Sequence, residues 1–155
     1  MLFFSLVMSL VPLWALDTGN SLPAFQLPRV QGGIFNSGEA GGKKMLIWIT
    51  DFDQNALSLL SRLTDLAQRL PQAQIILISV NGEDSAPALA ALRQYQLPFP
   101  VLLDPQGTVC QQLCGFFLKG VEPQKNLFVT DSRGIITLTD HLPGYPLKDL
   151  EEKLK

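Results

Sequence analysis

The sequence predicts an α/β sandwich with a central, mostly parallel sheet, an antiparallel C-terminal hairpin, and helices on both faces. The first indication is a set of continuous apolar runs such as KMLIWIT and QIILISV, typical of strands buried on both faces. The second is that segments of helical periodicity alternate with these runs. The 155 residues are 46% hydrophobic and 17% charged, which is enough apolar material for one domain with a single core.

The predicted elements follow one another in a simple order. Proline and glycine punctuate the stretch from residue 20 to residue 44, which predicts short extended pieces joined by turns. After the strand KMLIWIT, leucines recur at helical spacing from Gln54 to Leu70, and Pro71 ends that helix. The remaining predicted elements are the strand QIILISV, a helix in DSAPALAALRQYQ capped by Asp84 or Ser85, the strand FPVLLD, a short helix in PQGTVCQQLCG closed by Gly115, the hairpin NLFVTDSRGIITLT, and a C-terminal helix in PLKDLEEKLK.

Residues 1–16 are predicted to be a signal peptide or an N-terminal anchor, and residues 22–155 to be the folded domain. The run from Leu2 to Leu16 carries no charge, but at about 15 residues it is shorter than the roughly 20 that a membrane span needs. Its length suits a secretory signal, although no lysine or arginine precedes it and Leu13 occupies the −3 position for cleavage after Ala15. We therefore expect an exported protein, either periplasmic or membrane-anchored on the outer side of the cytoplasmic membrane. The alternative is that this run is the first apolar element of the domain.

Composition and motifs exclude several other classes of function. The net charge of −2 gives no electrostatic reason to expect nucleic acid as a partner. No phosphate-binding loop, hydrolase nucleophile elbow or zinc-protease motif is present. His141 is the only histidine, whereas a tetrahedral zinc site needs four ligands, so no metal and no cofactor are expected.

Four stretches carry a resemblance to a known family. LPAFQLP followed by GG resembles the opening lPdFtLp…dG of the redoxin branch of the thioredoxin superfamily, and GKKMLIWIT resembles its GKvvLvnFWA strand. FPVLLDPQGTVCQQLCG and NLFVTDSRGIIT resemble fPvllDpdGevAraYGV and ttFlIDrdGrIv. These stretches cover roughly residues 22 to 140. The resemblance implies a thioredoxin-like fold, and the branch includes TlpA-like thiol–disulfide oxidoreductases and the AhpC/TSA peroxiredoxins.

The positions that carry cysteine in those relatives hold other residues here. Setting Trp48 and Thr50 on the Trp-Ala-Thr-Trp-Cys-x-x-Cys pattern of the oxidoreductases places Phe52 and Asn55 at the two cysteine positions. Setting Thr50 on the Thr-x-x-Cys pattern of peroxiredoxins places Asp53 at the peroxidatic cysteine. Because unpaired N–H groups at a helix start stabilise an anion, Asp53 is expected to cap the helix that follows. A carboxylate there cannot exchange disulfides, so the resemblance implies a degenerate active site.

Lys125 falls where the resemblance implies a cis-proline facing the active site, and Pro123 lies two residues early. Peroxiredoxins often carry an arginine in this region that supports the thiolate. Lys125 is therefore either a cationic counterpart that meets Asp53 or a solvated loop lysine, in which case its ion pairs contribute little.

Cys110 and Cys114 are the only cysteines, and their spacing places both on one side of the predicted short helix. Three interpretations remain open. They are buried small hydrophobic residues, a strained local redox disulfide that loosens the helix before Gly115, or half of a metal site, which the lone histidine disfavours. In related peroxiredoxins a resolving cysteine can occupy this helix, but it requires a peroxidatic partner.

Two classes of function follow from these residues. The first is an exported redoxin-family protein without thiol turnover, acting as an interaction protein on a thiol protein or an envelope complex. The alternative is a thiol–disulfide oxidoreductase or peroxiredoxin-related antioxidant protein that contributes to redox homeostasis through Cys110 and Cys114. The missing thiol at the nucleophile position favours the first class.

Overall fold

The computed structural model describes residues 15–52, 54–80, 90 and 92–155. Its strands are β1 Gln26–Pro28, β2 Ile34–Asn36, β3 Met45–Thr50, β4 Gln74–Ser79, β5 Val101–Leu103, β6 Leu127–Thr130 and β7 Ile136–Asp140. Its α-helices are α1 Gln54–Arg69, α2 Thr108–Cys114 and α3 Leu147–Leu154, and a 3₁₀ turn spans Ser37–Ala40. Each matches a predicted element. Residues 90 and 92–94 of the predicted second helix are helical, whereas its expected caps, Asp84 and Ser85, lie outside the described residues.

The central sheet has the strand order β5-β4-β3-β6-β7. Strands β3, β4 and β5 pair in parallel, β6 is antiparallel to β3, and β7 is antiparallel to β6. Four strands therefore run in one direction and β6 runs against them, which confirms the predicted fold class with its antiparallel terminal hairpin. Strands β1 and β2 form a separate two-stranded hairpin.

Strand β3 is buried along its whole length because both faces of the sheet are covered. Leu46 and Trp48 point into the core formed with α1 and α3, while Ile47 and Ile49 point into a second core formed with α2 and the β1–β2 hairpin. We call these the α1 core and the α2 core. This alternation is the period-2 geometry of a strand between two layers.

The segment 16–30 covers both edges of the sheet. At the β7 edge, Gly19 N donates to Ile136 O at 2.8 Å and Leu22 N donates to Gly134 O at 2.9 Å. At the β5 edge, Val30 N donates to Val101 O at 2.8 Å. The segment thereby provides hydrogen-bond partners for backbone groups that the two edge strands would otherwise leave unpaired.

Candidate functional site

The candidate site lies at the joint where β3 ends and α1 begins, at the carboxyl end of β3. Thr50, the last residue of β3, is 2% exposed, and its Oγ1 lies 3.3 Å from the Asp51 carbonyl oxygen. The same Oγ1 lies 3.5 Å from Glu122 Oε1, across 72 residues of sequence. Because both neighbours are acceptors, the hydroxyl donates, and it connects the joint to the loop that carries Glu122.

Phe52 occupies a position where the oxidoreductase pattern has a cysteine, and it is part of the α1 core. Its ring is 2% exposed and meets Trp48 edge to face, with the ring centroids 5.9 Å apart. Asn55 lies in the first turn of α1, and Asp53 lies outside the described residues. The predicted cap at Asp53 therefore stays a prediction.

Asn126 fastens the loop on the far side of this joint. It is fully buried, and its Nδ2 donates to Glu122 Oε1 at 3.0 Å and to Leu142 O at 3.2 Å. Its Oδ1 accepts from Leu142 N at 2.8 Å. Glu122 Oε2 also lies 3.5 Å from Nε2 of His141. No sequence pattern indicates a role for Glu122, whereas a polar Asn126 directly before an apolar strand indicates a buried, hydrogen-bonded amide.

Lys125 forms an ion pair with Asp17, with Nζ and Oδ2 3.3 Å apart. The hydrogen bond from Thr18 N–H, followed by those from Lys125 and Thr139, holds the pKa of Asp17 below its usual range. Both partners are substantially exposed, so the pair itself contributes little to stability. The expected contact of Lys125 with Asp53 stays a prediction, because Asp53 lies outside the described residues.

Cys110 and Cys114 are free thiols buried in the α2 core, 1% and 5% exposed. Cys110 N donates to Asp104 Oδ2 at 2.8 Å, and Cys110 Sγ donates to Phe116 O at 3.7 Å. The helix ends immediately afterwards at Gly115, which adopts a left-handed conformation as predicted. Asp104 itself is 2% exposed, and its role was not recognised in the sequence.

The environment of the two thiols opposes ionisation of Cys114. Its hydrogen bond to Cys110, its burial, and the nearby charges of Cys110 and Asp104 raise the pKa of Cys114. The hydrogen bond from Cys114 lowers the pKa of Cys110, although burial and Asp104 act in the opposite direction. The raised pKa keeps the buried Cys114 thiol in its neutral form.

The sheet separates the cysteines from the joint of β3 and α1. Phe52 and Trp48 belong to the α1 core, and both cysteines belong to the α2 core on the other face. The structure therefore does not bring the predicted redox candidates to the predicted active-site position. Within residues 15–52, 54–80, 90 and 92–155, no three histidine, cysteine, aspartate or glutamate side chains are grouped so as to hold a metal ion.

Comparisons with known proteins agree with this fold. The model of the AhpC/TSA family matches residues 18–139. A Coxiella burnetii protein named as peroxiredoxin bcp is 26% identical over 134 residues, which span 79% of this chain and 87% of that protein. Chloroplastic peroxiredoxin Q of Populus jackii is 23% identical over 143 residues, spanning 90% of this chain and 67% of that protein.

Two solved structures show the same fold at lower identity. Peroxidoxin BcpB of Mycobacterium tuberculosis superposes with a TM-score of 0.70 at 21% identity, covering 90% of this chain and 96% of that one. The thioredoxin domain of a thiol-disulfide oxidoreductase from Bacteroides vulgatus superposes with a TM-score of 0.68 at 15% identity, covering 91% and 100%. The chain thus belongs to the AhpC/TSA family, in the redoxin branch of the thioredoxin superfamily.

Proposed function

We propose that this chain is an exported redoxin-family protein that binds a protein partner and performs no thiol turnover. The observation that carries the proposal is the placement of its cysteines. Both are buried in the α2 core, while the joint where relatives hold a reactive cysteine has Phe52 packed into the α1 core. A thiol catalyst needs an accessible thiolate at the reacting surface. The two cysteines are buried, and the joint has Phe52 in its core, so neither place meets that requirement.

The site end of the molecule suits a partner better than a small substrate. Thr50, Glu122 and Asn126 are tied to one another, so the joint and the opposite loop form one connected surface. Asp51 and Glu122 are exposed on this surface. An envelope complex or a thiol protein with a complementary basic segment is the class of partner that this surface favours.

The alternative function is redox work by Cys110 and Cys114 themselves. It is favoured by the hydrogen bond between the two thiols and by the end of the helix at Gly115 immediately after them. In that reaction the two thiols form one disulfide, and their two electrons and two protons reduce a peroxide to an alcohol and water. A disulfide requires the Cβ atoms to approach to about 3.5–4.5 Å, closer than the about 5–6 Å of a regular helix, so the last turn must loosen.

Thiol titration distinguishes the two functions. The full chain is reacted with an aromatic disulfide reagent while folded, and again in denaturant, before and after dithiothreitol treatment. We expect two slow thiols in the folded chain, two in denaturant without dithiothreitol, and no turnover of peroxide or of a disulfide substrate. Two thiols recovered only after dithiothreitol, together with peroxide reduction lost in Cys110→Ser, would overturn the proposal in favour of the redox alternative.

Export is the part of the proposal that rests on the apolar N-terminal run. Among the described residues no helix is long and apolar enough to cross a membrane, and residues 1–14 of the run lie outside them. Fusion of the full chain to a reporter that is active only outside the cytoplasm tests export, and the mass of the product shows whether the run is removed. Insertion of two arginines into the run should abolish reporter activity because charges oppose translocation of an apolar signal.

A further inference from the structure

Three of the five exposed large hydrophobic residues that the structure describes lie in one short hairpin between α2 and β6. Residues 116–121 form a tight turn in which Val121 N donates to Leu118 O at 3.0 Å. Phe116, Leu118 and Val121 are 43%, 61% and 47% exposed. Only Ile34 and Tyr95 are comparably exposed large hydrophobic residues in the part of the chain that the structure describes. We call residues 116–121 the apolar hairpin.

The hairpin is held in a fixed position. The Phe117 ring lies directly over Gly107, where a Cβ atom would come within 2.0 Å of the ring. Cys110 Sγ donates to Phe116 O at 3.7 Å, which adds a second tie to α2. These two contacts hold the apolar hairpin on α2, so its exposed apolar side chains have a fixed position.

The apolar N-terminal run enters the domain beside this hairpin. Leu16, the last residue of that run, donates its N–H to Leu113 O at 2.9 Å, three residues before Phe116. The next residue, Asp17, is already paired with Lys125. No spacer therefore separates the run from the folded domain. Even as a full helix, about 15 residues reach only about 22 Å, short of the about 30 Å hydrocarbon core.

We propose that the apolar hairpin contacts the lipid bilayer when the N-terminal run is retained as an anchor. This inference rests on the export in the proposed function, to which it adds a retained anchor and the orientation of the domain. Leu16 and Phe117 of the apolar hairpin both pack against the α2 core, so the run, with no spacer, brings this side of the domain to the headgroups.

A fluorescence quenching experiment tests this orientation. The full chain carries an environment-sensitive dye at Leu118→Cys and is reconstituted into phosphatidylcholine vesicles containing a spin-labelled quencher lipid. The matched control carries the dye at Ile34→Cys, which is 59% exposed on the β1–β2 hairpin, a different element from the apolar hairpin. Labelling of the unsubstituted chain measures any reaction of the two buried native thiols.

We expect the lipid quencher to reduce emission from position 118 by about twofold or more and to leave position 34 unchanged, since an interfacial contact places the dye among the acyl chains. Adding Phe116→Ser and Val121→Ser should reduce the quenching without changing the circular dichroism spectrum. Equal quenching at both positions, or no quenching at position 118, would overturn the proposal. Neither result would alter the thiol titration, so failure here is separable from failure of the non-redox function.

Discussion

At the scale of single residues, Asp17 is the carboxylate whose contacts predict a pH dependence. Its folded pKa is lowered by the Thr18 N–H and by Lys125, so its contribution to stability is complete above the unfolded pKa near 4. That contribution is lost as the pH falls through the lower, folded value. We expect Asp17→Asn to lower the urea midpoint at pH 7 and to change it little at pH 2.

The control for this measurement is Asp65→Asn, which alters an exposed carboxylate on α1 far along the chain. With Asp65→Asn, the difference in urea midpoint between pH 7 and pH 2 should stay close to that of the unsubstituted chain. If Asp17→Asn and Asp65→Asn give the same pH profile, the contacts of Asp17 do not stabilise the folded state.

Among the residues of the candidate site, Asn126 is the one whose substitution should lower the stability of the fold most. Replacing it with alanine removes three hydrogen bonds and leaves the Leu142 N–H and C=O without this partner in a buried place. We expect Asn126→Ala to lower the free energy of unfolding by about 2–4 kcal/mol, because unsatisfied buried groups carry their full desolvation cost. Chemical denaturation measures this loss. Gln31→Ala, an exposed substitution, should change stability by less than about 0.5 kcal/mol. Equal effects of the two substitutions would contradict the role given to Asn126.

At the scale of elements, the packing of the apolar hairpin on α2 can be isolated with two glycines. Gly107 and Gly134 have φ values of +68° and +79°, so alanine is strained at both, but only at Gly107 would the new Cβ meet the Phe117 ring. We expect Gly134→Ala to lower the free energy of unfolding by about 1 kcal/mol and Gly107→Ala to lower it clearly more, as measured by thermal unfolding. Phe117→Ala should reduce the penalty of Gly107→Ala in a double-mutant cycle, and a zero coupling energy would count against the close contact.

The elements also show what could be read from the sequence. The joint of β3 and α1 was predictable because MLIWIT is uniformly apolar and because leucines from residue 59 to residue 70 repeat at helical spacing. The residues linked to that joint, Glu122 and His141, could not be predicted in this way. Both lie in loops, and loop side chains have no periodicity that locates them in space. The pairing of Asp17 with Lys125 spans 108 residues and depends on how the segment 16–22 follows β7.

At the scale of the whole molecule, the N-terminal segment is part of the fold rather than a tether to it. Residues 16–22 bond to α2 and to the β7 edge, and Phe25 and Leu27 then cross the α2 core toward the β5 edge. A domain that starts at residue 22 therefore retains the core elements but lacks part of the cover on β7. An uncovered edge strand offers N–H and C=O groups to a neighbouring chain.

The final prediction compares two shortened chains, one starting at Ala15 and one starting at Pro23. The second lacks the bonds from Leu16, Gly19 and Leu22 to α2 and β7, so we expect a lower melting temperature. We also expect its mass in solution to rise with concentration, because the open β7 edge can pair with a second copy. Thermal unfolding and analytical ultracentrifugation measure the two effects. Substituting Thr137→Lys on the same strand of the shorter chain should suppress self-association without restoring stability, since charge on an edge strand opposes edge-to-edge pairing. Identical melting temperatures and masses for the two chains would show that the segment does not protect the sheet.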